Sequence, residues 1–132
     1  MYKIEQKDFG YKLLFDGFIK GDEMKKWVVE SKSALNSAPG KFGVFVDMRN
    51  LSPLPSDAKT MMEKGQKLYK QKGMQRSVVV VANAITKMQF QRIAKQTGIY
   101  DWERYIDASN TSNWESVGVN WLKNGVDPDK AN

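Results

Sequence analysis

Apolar and polar residues alternate over residues 2–7, with Tyr2, Ile4 and Gln6 on one side and Lys3, Glu5 and Lys7 on the other. That period predicts a strand. Asp8-Phe9-Gly10 supplies turn chemistry, with Gly10 free to take positive φ, and 11–19 reads as a second strand. The two form a hairpin, in which Gly17 predicts a bulge or a close backbone approach. The period then changes. Met24, Trp27, Val28, Ser31 and Leu35 fall on one face of a helix that Asp22 would cap and Pro39-Gly40 would stop. Phe42–Asp47 is apolar on both faces, as an interior parallel strand is.

A proline-containing turn leads to a second helix starting near Ser56. Ala58, Met61, Met62, Gly65, Leu68 and Tyr69 make its inner face; Lys59, Lys64, Lys67 and Lys70 make a basic outer face. Four consecutive valines within 77–82 predict the central buried strand. A third helix follows, with Thr86 as its expected N-cap, Phe90, Ile93, Ala94 and Thr97 inward, and Gly98 as its C-cap glycine. Glu103–Asp107 is a short strand at or near an edge. Ser112-Asn113-Trp114-Glu115 has capping-box spacing and opens a last helix with Val117, Gly118, Trp121 and Leu122 on one stripe, ending at Gly125. The order ββαβαβαβα predicts one α/β domain over 1–125, a mixed and mainly parallel sheet covered by helices, and a polar tail over 126–132.

Composition narrows the chemistry. The 132 residues contain neither Cys nor His. This removes thiol nucleophiles, imidazole bases, Ser-His-Asp triads and the usual zinc ligands. Nothing in the pattern calls for a cofactor. The N-terminal Met-Tyr-Lys-Ile-Glu lacks the apolar run of a signal peptide, and no stretch is long enough to span a bilayer, so the expectation is a cytoplasmic protein. A formal net charge of +6 is either a solvated basic surface or an attraction for an acidic protein, an anionic membrane or nucleic acid. Nucleic acid fits least, because the lysines are not interleaved with aromatic residues.

With the element order in place, the chain resembles the SpoIIAA-like fold, the STAS group that includes anti-sigma-factor antagonists. Leu14-Phe15-Asp16-Gly17-Phe18-Ile19 is similar to the segment ending the family's second strand. Val44-Phe45-Val46-Asp47-Met48-Arg49-Asn50-Leu51 is similar to its central strand and turn, and Leu54-Pro55-Ser56-Asp57-Ala58 stands where the family carries Asp-Ser-Ser-Gly. Arg104-Tyr105-Ile106-Asp107, Trp114 and Trp121-Leu122 resemble uncharacterised bacterial SpoIIAA-like proteins. The resemblance implies a regulatory module in which the first serine of that motif accepts a phosphate. The role would fall on Ser56, although Pro55, Asp57 and Ala58 replace the other motif residues.

The residues support two readings at each candidate site. Ser56 is a helix N-cap or a phosphoacceptor. Asp47 closes a turn with Arg49, or else Asp47, Arg49, Asn50, Ser52, Asp57, Asn83 and Asp107 line a crevice at the strand ends, where ligands of open α/β sheets bind. No spacing requires a metal there. Met61, Met62, Trp27, Trp114 and Trp121 are core, or they line an apolar pocket. Trp102 could anchor a partner from the loop before the last strand. The function expected is a non-catalytic module that docks a partner protein over the strand-end turn and second helix. The alternative is a carrier or sensor of a small apolar ligand held between sheet and helices.

Overall fold

The computed structural model describes residues 1–130. Five strands, β1 (Tyr2–Lys7), β2 (Gly10–Phe15), β3 (Phe42–Asp47), β4 (Met74–Val81) and β5 (Glu103–Asp107), lie side by side in chain order. β1 and β2 pair antiparallel; every later neighbour is parallel. Four helices complete the fold: α1 (Gly21–Ala34), α2 (Ser56–Lys72), α3 (Ala84–Thr97) and α4 (Trp114–Asn124). The expected order of elements is the observed one, and the valine strand β4 is interior.

Handedness explains the layering. The three crossovers from β2 to β5 all step in the same direction across the sheet, so right-handed connections place α1, α2 and α3 on one face. α4 follows the last strand and folds onto the other. β4 serves both layers: Val79 and Val81 join the core under α1–α3, while Val78 and Val80 join Phe45, Ile106, Trp121 and Leu122 under α4.

Two glycines are dictated by close approach. Gly10 has φ 142°, and a Cβ there would collide with the Gly43 carbonyl oxygen of the adjacent strand. Gly65 leaves room on α2 for the Trp27 ring, which stacks on Tyr69 at 5.6 Å between centroids and meets Phe15 edge-on at 5.1 Å.

Helix starts differ from expectation in a consistent way. α1 is preceded by Lys20 as N-cap, which puts Asp22 inside the first turn. Pro55 is the N-cap of α2, so Ser56 is the first helical residue. Asn83 caps α3, its Oδ1 accepting from the Thr86 N–H at 2.8 Å, with Thr86 buried one turn further in. The Ser112–Glu115 capping box does not form. Asn113 is the N-cap, but its φ −96° and ψ 35° lie outside the extended region from which a side chain reaches the helix amides. β2 ends at Phe15. Beyond it Gly17, at φ 77°, makes an isolated bridge to Leu51.

Candidate functional site

The turn after β3 is built by Asp47. Its carboxylate is buried and accepts from Arg49 three times: backbone N–H at 3.2 Å, Nε at 3.0 Å and Nη2 at 2.9 Å. Bidentate pairing fixes the guanidinium plane, which lies 4.1 Å from the centroid of Trp114. Hydrogen bonding to Asp47 raises the Arg49 pKa further above neutrality. Asp47 is therefore committed to structure, and Arg49 ties β3 to α4.

The rest of the turn, 48–55, is held from two sides. Gly17 donates its N–H to the Asn50 carbonyl at 3.0 Å and accepts from the Ser52 N–H at 2.9 Å. Gln89 of α3 reads the Leu54 backbone like a strand partner, Oε1 accepting from its N–H at 2.8 Å and Nε2 donating to its carbonyl at 2.9 Å. Thr86 Oγ1 donates to the Leu51 carbonyl at 3.4 Å. Sequence reasoning missed Gln89 and assigned Thr86 to a cap. Their contacts span 35 residues, a distance that no local pattern encodes.

The crevice residues share one end of the sheet but not one site. Asp57 is exposed, its Oδ1 accepts from the Ala58 N–H at 2.7 Å, and it lies against Gly21 at the start of α1. Asn83 is occupied as a cap. Asp107 closes its own turn, accepting from Ser109 N–H at 2.9 Å, Ser109 Oγ at 2.6 Å and Asn110 Nδ2 at 3.0 Å. The Ser109 bonds hold its carboxyl below the usual range. β4 separates Asp47 from Asp107. Among the described residues, no three carboxylates converge as a metal site would need. Ser56 and Ser52 are exposed, and the Ser56 side chain makes no hydrogen bond among the described residues.

The five residues expected of an apolar pocket are divided by the sheet. Trp27 and Met62 lie in the α1–α3 layer, and Met61 packs at its margin. Trp114 and Trp121 lie in the α4 layer, where Trp121 Nε1 donates to the Ser77 carbonyl at 3.0 Å. The gap between Trp27, Met62, Gln66, Tyr69 and Glu103 is a cavity of about 30 Å³. That accommodates a water-sized body, not an acyl chain. Trp27 Nε1 is buried beside it with no partner among the described residues. Trp102 packs half-buried against both cores, so it is no exposed anchor.

One buried carboxyl escaped sequence reasoning. Glu103, at the start of the edge strand, accepts from Ser77 Oγ at 2.5 Å and from the Tyr105 hydroxyl at 2.6 Å. No cation faces it, so burial pushes its pKa up to about 7 despite the two hydrogen bonds. Burial and this carboxylate together push the Tyr105 phenol up.

Three exposed apolar residues lie at the same end as the turn. Phe18 (57% exposed) follows Gly17, and Ile85 (68%) and Met88 (57%) each precede or follow a residue that grips the turn. Thr86 and Gln89 point inward to Leu51 and Leu54; their neighbours Ile85 and Met88 point out.

An open five-stranded α/β sheet, three helices on one side and one on the other, with an antiparallel edge, defines the class. No family model matches the chain, and no curated protein matches it. Among solved structures it is similar to an uncharacterised protein of the DUF3478 family with a SpoIIAA-like fold, from Shewanella loihica PV-4. The two align over 92% of each chain with a TM-score of 0.64 at 15% identity. The fold is SpoIIAA-like. Among the described residues, no helix is long and apolar enough to cross a membrane.

Proposed function

We propose that this chain is a non-catalytic binding module whose protein partner docks on the strand-end surface formed by turn 48–55 and the first turns of α2 and α3. The observation that carries the reading is the combination of a pinned turn with an exposed apolar rim. Asp47, Asn83 and Asp107 spend their polar atoms on the protein itself, while Phe18, Ile85 and Met88 face solvent around them. A rigid turn lowers the ordering cost of association, and apolar side chains with a polar surround supply its driving force. The SpoIIAA-like fold supports a regulatory or binding role in general. Ser56, exposed at the positive end of α2, would add charge to this surface if phosphorylated without opposing the helix.

The test compares partners captured by wild type, by Ile85→Asp/Met88→Asp and by Ser56→Glu, with folding checked by circular dichroism. The apolar double variant loses the specific partner while keeping its melting temperature within a few degrees, and Ser56→Glu changes the capture. A folded double variant with an unchanged partner profile places the interface elsewhere. The apolar-ligand alternative would need the 30 Å³ interior to open, and adding fatty acid is expected to leave the melting temperature unmoved.

A further inference from the structure

We infer that the open edge of β1 pairs with β1 of a second copy of this chain, in an antiparallel register centred on Ile4. The phase of the ladder comes first. Met1 and Asp16 exchange both backbone hydrogen bonds, at 2.7 and 2.9 Å. In an antiparallel pair such doubly bonded positions alternate with non-bonded ones. From the register of β1 with β2, Lys3, Glu5 and Lys7 therefore turn their amides and carbonyls toward Leu14, Lys12 and Gly10. Tyr2, Ile4 and Gln6 turn theirs outward, with no backbone partner among the described residues. A straight edge of this kind is a template for another strand.

Side-chain charge then selects occupant and register. When Ile4 faces its own copy, Tyr2 faces Gln6 of the other chain, and every outward amide and carbonyl of the three residues finds a partner. Lys3 then stands opposite Glu5 of the second chain, twice by symmetry, at the non-bonded positions where side chains approach most closely. Sliding one chain by two residues either way keeps the hydrogen-bond phase but sets Lys3 against Lys3 or Glu5 against Glu5. Like charges directly opposite are destabilising. A slide by one residue breaks the phase. A slide by four residues sets Glu5 against Lys7 but leaves Gln6 as the one outward residue paired within β1, so the strand is self-complementary over its whole length in one register.

The flank agrees. The Met1 ammonium pairs with Glu23 at 3.2 Å, and Tyr2 shares a surface cleft with Asp22, Glu23 and Lys26, so α1 borders the same edge. A two-fold axis perpendicular to the sheet keeps both α1 helices on one side of the seam. There α1 exposes Val29, 59% accessible, between Lys26 and Glu30, on a surface of mixed charge. Ile4 and Tyr2, half-buried against the core in one copy, would be closed over by their counterparts.

The experiment is sedimentation velocity of the full chain over a concentration series. Wild type is expected to move from monomer toward dimer as concentration rises. Lys3→Glu raises the dissociation constant roughly tenfold or more, because two attractive pairs become repulsive. Lys3→Glu/Glu5→Lys restores it. Gln6→Pro abolishes association; its N–H points outward, so no internal ladder bond is lost. Circular dichroism and melting temperature identify variants that are folded. A wild type that stays monomeric at every concentration overturns the proposal. So does a dimer indifferent to folded Gln6→Pro, or a double charge swap no better than Lys3→Glu.

Discussion

Glu103 shows how far one residue's surroundings outweigh its type. Its carboxyl is buried against two hydroxyls and faces no cation, so the folded protein holds its proton up to about pH 7. The unfolded chain releases that proton near the ordinary glutamate value, about 4.3. Between these two values the folded state binds more protons, so stability falls as pH rises through the window and levels off above it. The span corresponds to a cost on the order of 3 kcal/mol at alkaline pH. Glu103→Gln keeps an acceptor for one hydroxyl and a donor for the other. It is expected to raise the melting temperature at pH 8 and leave it nearly unchanged at pH 4, which thermal melts across pH would show. A wild type with a flat profile from pH 5 to 8 would contradict the assignment.

At the scale of elements, the strand-end turn is held by α3 more than by its own residues. Gln89 satisfies both backbone groups of Leu54. Gln89→Ala leaves them without that partner, at a cost of about 1–3 kcal/mol, measurable as a lowered midpoint in urea. Hydrogen exchange should rise at the Leu54 amide and spare the centre of β4. Helix starts tell a related story. The sequence placed each helix start within three residues but misassigned the cap, because Ser56 and Thr86 were judged by type whereas the chain's entry angle decides which residue adopts the extended cap conformation.

For the whole molecule, β4 makes the two layers one cooperative unit. Adjacent valines feed opposite cores, Val79 under α1–α3 and Val78 under α4. Neither layer can open without exposing the strand that the other packs on. Tryptophans report on both: Trp27 in the first, Trp114 and Trp121 in the second. Fluorescence and far-ultraviolet circular dichroism should therefore give coincident urea transitions, as two-state unfolding requires. Separated midpoints would mean that α4 detaches first.

The sequence by itself determined the element order, the interior valine strand, a place for β5 at or near an edge and the absence of Cys and His chemistry from these 132 residues. These follow from periodicity and composition, which act locally or on the whole chain at once. It also carried the charge alternation of β1. Only the tertiary structure decided that Trp27 and Trp121 lie on opposite faces, since both sit on equally apolar helix stripes and the side of the sheet depends on crossover handedness. It alone committed Asp47 to Arg49, gave Leu54 to Gln89 across 35 residues, and left Glu103 without a cation. Each is a contact between segments distant in sequence, and a residue's type fixes what it can bond to but not what the fold sets beside it.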